Sequence, residues 1–174
     1  MTEIGMNHVV KSDGSKMKIK LKMISSANYM ACTELKVSAE QEDFVAPNLF
    51  SLVQAAYEPD MYPLGIYKAD QMVGFILYDF DTEITGWSMS RFMIDQRYQN
   101  QGIGSTALAT FIDYFHAKHG CLPLYTSAIV DNIATIALYE RFGFEKGDVS
   151  EYKYGGKQYK ELGMVLKKGD YNHE

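Results

Sequence analysis

Charged and apolar residues alternate in Lys18-Ile19-Lys20-Leu21-Lys22-Met23. A period of two puts one face in a core and the other in water, which predicts a strand. Ser25-Ser26 offers an N-cap for a helix running to about residue 37, and Pro47, whose fixed φ suits a first helical turn, opens a second helix carrying Leu49, Phe50, Val53 and Tyr57. Leu64-Gly65-Ile66-Tyr67 and the run 72–78 are β-rich and separated by Lys68-Ala69-Asp70-Gln71, short enough for an antiparallel hairpin. A further strand is predicted over 87–94, ending at the polar Asp95-Gln96-Arg97-Tyr98.

The helix after Gln99-Asn100-Gln101-Gly102-Ile103-Gly104 has the clearest pattern. Ile103, Ala107, Leu108, Phe111, Ile112 and Phe115 recur at helical spacings and form one stripe that must face a sheet, and Gly120 closes the helix. Residues 122–130 read as a strand, and Asp131-Asn132 precedes a helical run over 133–142 that stops at Gly143. Two last β-rich segments, 151–154 and 159–166, are joined through Gly155-Gly156-Lys157. The order β-α-α-β-β-β-α-β-α-β-β implies an α/β (or α+β) layered fold, a mixed central sheet of about seven strands flanked by helices.

At 174 residues the chain fits one domain, expected over 17–168. Residues 1–16 lack an apolar period and hold the turn formers Ser12-Asp13-Gly14-Ser15, which predicts a flexible leader, either an alternative start or an added remnant, while 169–174 should fray. Apolar residues at 47% and charged ones at 22% exclude disordered and fibrous classes. No run of about 18 apolar residues exists and the N-terminal segment is too polar for a secretory signal, so a cytoplasmic protein is expected. Cys32 and Cys121 fit neither a disulfide framework nor a thiolate zinc site and are expected to be reduced fillers of the core. A net charge of −5 repels nucleic acid and anionic membranes and suits cationic partners.

Between a strand and a strongly amphipathic helix, the loop Gln99–Gly104 can turn its backbone N–H groups together on an anion such as a pyrophosphate. Glycine at 102 and 104 would permit close backbone approach or a positive φ; a turn that merely starts a helix explains the pair about as well. The three-glycine dinucleotide fingerprint is not matched, since the third residue after Gly104 is Ala107, and the Gly-Lys-Ser/Thr phosphate loop is absent. His116 and His119 lie three apart on a helix without a third ligand, so no metal is assigned.

The run from Arg91 to Gly104 resembles the strand and Q/R-x-x-G-x-G/A loop of the GNAT acetyltransferase superfamily, and the block from Asn132 to Phe144 is similar to its N-x-x-A-x-x-L-Y-x-x-x-G-F. The element order agrees from about residue 17 to 167. Within the superfamily, Leu35-Lys36-Val37-Ser38 with Gln41 and Phe44, then Arg91-Phe92-Met93-Ile94-Asp95 with Tyr98-Gln99, look most like the bacterial diamine and spermine/spermidine N-acetyltransferases. The resemblance implies acetyl-CoA as co-substrate, its pyrophosphate held by the backbone of Gln99, Asn100, Gln101, Gly102, Ile103, Gly104 and Ser105 at a helix N-terminus. It places the pantetheine arm along Phe92, Met93 and Ile94, which core packing would also explain. Asn132 is either an N-cap or a cofactor contact, and both can hold.

Tyr139, seven residues on and on the same helical face, is the expected general acid for the departing thiolate; a packed helix tyrosine is the plain alternative. The strand 87–94 has no carboxylate, so no side chain is assigned as base and water relayed through polar groups is left to take the proton. Glu83, just before that strand, reads first as a solvated loop charge. From 34 to 60, Glu34, Glu40, Glu42, Asp43, Glu58 and Asp60 face Lys36 alone, a balance of −5, and Asp79, Asp81 and Glu83 add three more. Such acids would attract a polycation, with Glu34, Glu42 and Glu83 as candidate acceptor contacts, although an ordinary soluble surface carries the same pattern. The expected reaction is direct transfer in a ternary complex, without an acyl group on Cys121, from a protein that forms a homodimer. Other amines (aminoglycosides, amino acids, protein N-termini) and a non-catalytic acyl-CoA-binding module are the alternatives.

Overall fold

The computed structural model describes residues 17–167. The leader expected over 1–16 and the tail over 169–174 lie outside the described residues. In chain order the elements are β1 (Ile19–Met23), α1 (Tyr29–Glu34), α2 (Asn48–Tyr57), β2 (Met61–Lys68), β3 (Gln71–Asp81), β4 (Gly86–Ile94), α3 (Ile103–His119), β5 (Leu124–Ile129), α4 (Ile133–Arg141), β6 (Glu145–Tyr154) and β7 (Lys157–Leu166). Short 3-10 turns occupy Ala39–Gln41 and Gln96–Tyr98. The seven strands form one mixed sheet in the order β1-β2-β3-β4-β5-β7-β6, so the last strand inserts beside β5. β4 and β5 run parallel, joined through the α3 crossover, whereas β1/β2, β5/β7 and β6/β7 are antiparallel. The expected mixed seven-stranded α/β fold is the observed one.

Residues group into two compact units, one built from Arg91–Gly120 and the described residues up to Tyr78, the other from Asp79–Ser90 and the described residues from Cys121. In the first unit the predicted α3 stripe is buried at every position named. Phe111 lies 5.4 Å from the Tyr78 ring, which stacks on Tyr62 at 5.0 Å. Lys118, in the last turn of α3, donates to Tyr78 Oη at 3.0 Å and sits 4.5 Å above the Tyr62 ring, so its charge is met by aromatic faces. A second apolar cluster joins Cys32, Leu35, Phe75, Leu77 and Met93. Burial pushes the Cys32 thiol up to about 12, which leaves it unreactive.

Several expectations are corrected. Cys121 is exposed, not a core residue, because it occupies a bend between the Gly120 cap and a β5 that starts at Leu124. The first helix starts after Asn28 rather than at the serines, since Asn28 Oδ1 accepts from Ser25 N–H at 2.8 Å and closes a turn there. It ends at Glu34 because Leu35 turns to extended backbone, and the next N–H, of Lys36, donates to the Asp95 carboxylate at 3.0 Å. On α2 the apolar Leu49, Phe50, Val53 and Tyr57 are exposed, while Asn48 and Ser51 are buried. Asn48 earns its burial by donating to the Cys32 carbonyl at 2.9 Å. β6 begins six residues before its predicted start, at Glu145 instead of 151, and is exposed throughout; backbone pairing with β7, not an apolar face, makes it a strand. Its hairpin turns on Gly155 and Gly156 alone, both at positive φ, with Lys157 already paired to Tyr154.

Phe111→Ala is expected to lower stability to urea by about 3–5 kcal/mol, the usual cost of removing a fully buried aromatic ring. A loss below about 1 kcal/mol would show that the α3 stripe is not the core of its unit.

Candidate functional site

The loop between β4 and α3 is held in place before it reaches any ligand. Asp95, 1% exposed, receives the N–H of Lys36 at 3.0 Å and of Arg97 at 2.9 Å, and the Arg97 guanidinium at 2.8 and 3.1 Å. Its own N–H reaches Val73 O on β3 at 2.9 Å, and Gln96 N–H returns to Lys36 O at 2.8 Å. Burial works to raise the Asp95 carboxyl, but the hydrogen bonds from Arg97 and the backbone prevail and hold it below the usual carboxylate range. The Gln99 side chain is a brace: its Nε2 donates to Ile94 O at 2.8 Å and to Gln41 Oε1 at 2.9 Å. Asn100 and Gly102 both take positive φ, 59° and 76°. For Gly102 this left-handed cap is a real demand on residue type. Asn100, Gln101 and Gly102 are exposed.

α3 begins at Ile103, and its first ladder bond runs from Thr106 N–H to Gly102 O at 3.2 Å, so the amides of Ile103 and Gly104 precede it at the positive end of a 17-residue helix. Gly104 needs no positive φ, and a Cβ there would meet only Ile94 Cγ1, at 3.8 Å. Neither conformation nor packing within the chain requires glycine at that point. Ser105 lies half-buried in the same turn. Met93 and Ile94 turn buried side chains into the core, with Phe92 half-buried between strand and solvent. Only their backbone is in question as a ligand partner, and the Ile94 carbonyl already accepts from Gln99.

In the second unit, Asn132 Oδ1 accepts from Thr135 N–H at 3.3 Å, the N-cap expected of it; Thr135 stands where the family pattern has alanine. Tyr139 is 3% exposed and lies 5.4 Å from the Phe144 ring, whose own N–H donates to Tyr139 O at 3.1 Å. Burial raises its phenol well above the ordinary tyrosine range, and a hydrogen bond with Thr126 pulls modestly the other way. Thr126 Oγ1 donates to Met89 O at 2.9 Å, next to the end of the three-pair ladder that joins Trp87–Met89 to Leu124–Thr126. β4 itself runs on to Ile94.

Glu34 and Glu42 are exposed at the ends of α1 and the first 3-10 turn, and Glu34 adds to the attraction that keeps Arg97 protonated, after the dominant Asp95. Glu83 is exposed in the β3–β4 turn, its N–H bonded to Asp81 Oδ1 at 2.7 Å. Asp79, counted by sequence among the surface acids, is 7% exposed, and its carboxylate accepts from the Ser90 hydroxyl of β4. The missed signal was the unbroken apolar run: β3 is buried on both faces from Met72 on, and Asp79 directly continues it. Asp95 was likewise seen only as the end of a strand. Among the described residues no group of three or more His, Cys, Asp or Glu could hold a metal ion, and no helix is long and apolar enough to cross a membrane.

Residues 29–144 match the acetyltransferase (GNAT) family model. The chain is 32% identical over 135 residues to a spermine/spermidine N(1)-acetyltransferase of Bacillus subtilis, covering 74% of this chain and 89% of that protein. Among solved structures it resembles a spermidine N-acetyltransferase from Vibrio cholerae in complex with CoA and spermine, at TM-score 0.70 and 16% identity, with 88% and 97% of the two chains covered. A ribosomal-protein alpha-N-acetyltransferase in complex with coenzyme A is equally similar in fold, at TM-score 0.70 and 14% identity over 88% and 95%.

Because the Asp95 carboxyl is lower in the folded chain than in the unfolded one, its stabilisation is complete above about pH 4 and is lost as pH falls through the folded value. Asp95→Ala is expected to cost about 1–3 kcal/mol at pH 7, since it removes the hydrogen bonds that a buried carboxylate accepts, and to flatten the acid limb of a urea-midpoint titration. An acid limb of unchanged steepness in the variant would remove Asp95 as its source.

Proposed function

From its membership of the GNAT acetyltransferase family, to which the chain belongs, it follows that the protein is an acetyl-CoA-dependent N-acetyltransferase, and we propose that its acceptor is a primary amine of spermidine, spermine or a related diamine. The observation that carries the acceptor is the 32% identity to a spermine/spermidine N(1)-acetyltransferase over 89% of that protein's length. The exposed Glu34, Glu42 and Glu83 support it, since solvated carboxylates raise the local concentration of a polycation.

Acetyl-CoA supplies an activated thioester. The chain's part begins with the first-turn amides of α3 and the glycines at 102 and 104, which offer the diphosphate backbone donors and the positive end of a helix dipole without side-chain obstruction. The exposed backbone of Asn100, Gln101 and Gly102 extends that cradle. Along Phe92–Ile94 the strand backbone is the partner for the amides of the pantetheine arm, a mode resembling strand addition.

Tyr139 acts at the sulfur. Its phenol, raised by burial, stays protonated throughout the working pH range and donates a hydrogen bond as charge gathers on the leaving thiolate. Attack requires a neutral amine, whereas an alkylammonium titrates near ~10.4, so one proton must leave the acceptor before the carbon–nitrogen bond forms.

Tyr139→Phe is expected to lower kcat by ~10²-fold while leaving acetyl-CoA affinity by calorimetry unchanged. An unaltered kcat would take Tyr139 out of the mechanism. Gly104→Ala, whose added Cβ meets only Ile94 Cγ1 at 3.8 Å, should weaken acetyl-CoA by about tenfold or more, or ~1.4 kcal/mol, and equal affinity would move the diphosphate elsewhere. Thiol release measured with polyamines, aminoglycosides and peptide N-termini decides the acceptor: turnover confined to a non-polyamine overturns the polyamine assignment.

A further inference from the structure

A carboxylate in a strand interior needs compensation for the water it gives up. Asp79 is such a group, 7% exposed near the end of β3, and the Ser90 hydroxyl of β4 is turned onto it. Ser90 follows Met89, the last residue of β4 laddered to β5. The Met89 carbonyl is in turn the acceptor for Thr126 Oγ1, at 2.9 Å, and Thr126 is hydrogen-bonded to Tyr139. Within one compact unit, a chain of contacts therefore runs from the Tyr139 phenol through Thr126 to the peptide that carries Ser90, and from Ser90 to the Asp79 carboxylate. A proton donor and a proton acceptor stand at the two ends. The strand 87–94 supplies no carboxylate of its own, and its neighbour β3 provides one at the register of Ser90.

We propose that Ser90 and Asp79 together take the proton from the acceptor amine, Ser90 touching the amine and Asp79 acting through it as positioning residue and final proton acceptor. The cationic amine docks at Ser90, attracted by the buried carboxylate, which gains a counter-ion in place of lost water. An N–H bond of the ammonium breaks as its proton passes to Ser90 Oγ, and the Ser90 hydroxyl proton passes to Asp79 Oδ. The freed electron pair then forms the carbon–nitrogen bond at the thioester carbonyl, the carbon–sulfur bond breaks, and sulfur leaves with its electron pair toward the Tyr139 hydroxyl. The nitrogen then gives up its second proton to the departing sulfur, which leaves as the thiol, and Asp79 returns its proton to water before the next turnover. No further reactant is needed. This inference rests on the acetyltransferase reading but not on the polyamine assignment, because it concerns any primary amine.

The test is the pH dependence of kcat/KM for Asp79→Asn and Ser90→Ala, run with whichever primary amine of the panel the unmodified enzyme acetylates. Asp79→Asn keeps an oxygen that can accept from Ser90, so its fold and its acetyl-CoA affinity should hold. Its kcat at pH 7 should fall by ~10²-fold, and the residual activity should climb steadily toward the amine's own titration near ~10, because only amine neutral in solution remains reactive. Asp79→Glu should recover part of the rate. Ser90→Ala, which leaves the carboxylate in place, should lose roughly tenfold or more and raise KM. A merely structural Asp79 would change melting temperature without moving the pH profile. Should Asp79→Asn fail to fold, the Ser90→Ala profile decides alone. Rates within threefold of the parent with an unshifted profile in the folded variants overturn the proposal. If the parent acetylates no amine while still binding acetyl-CoA, the acetyltransferase reading fails instead and takes this inference with it.

Discussion

One carboxylate fixes the geometry of the loop between β4 and α3. Asp95 closes β4 by bonding its N–H to β3, then uses both oxygens to hold the Lys36 amide and the Arg97 side chain. The chain after α1 is thereby clamped to the chain after β4, and the 3-10 turn over Gln96–Tyr98 has a fixed origin. A buried charge of this kind is costly unless every oxygen is used, and here hydrogen bonds outweigh burial strongly enough to keep it ionised. The Gln99 brace repeats the tactic at the next residues, tying Ile94 to Gln41. In the proposed function the first-turn amides of α3 are kept for an anion, and the Asp95 and Gln99 side chains help to hold the chain that leads to them.

The division of labour explains why so few side chains in the loop are chemically distinctive. Gly102 is demanded by its left-handed φ, while Met93 and Ile94 send their side chains to the core. Sequence reasoning found this region because a glycine pair before a periodic helix is a local signal. The α3 stripe was equally legible, since six buried apolar residues at helical spacing admit one orientation.

What was not legible depended on partners distant in sequence. α1 looked as though it should continue to residue 37, but Lys36 is recruited by an aspartate 59 residues away, and no local pattern records that. Leu49, Phe50, Val53 and Tyr57 have core-like side chains, yet α2 buries Asn48 and Ser51. The inward face also carries Leu52 and Ala55, packed on the Cys32 cluster, with Asn48 bonded to Cys32 O. β6 has almost no apolar alternation to read, and its strand character comes from β7. Asp79 and Cys121 are opposite failures of the same rule: an acid assumed wet is buried on a strand, and a cysteine assumed buried sits in a bend.

In the proposed mechanism the two protons of acetyl transfer call for different surroundings, both drawn from the second unit. A thiol titrates near ~8.5, below any tyrosine and further below one whose phenol is raised by burial, so Tyr139 is a poor source of a fully transferred proton. It is a good source of a hydrogen bond, because in a dry site a fixed dipole aimed at developing charge is strong and needs no reorganisation. Burial that weakens Tyr139 as an acid therefore strengthens it as an electrostatic partner, and leaves it protonated at the start of every turnover. The amine's proton must be removed completely, which a neutral phenol cannot do. A carboxylate reached through a hydroxyl can, and the fold places one beside Ser90 on the strand next to it.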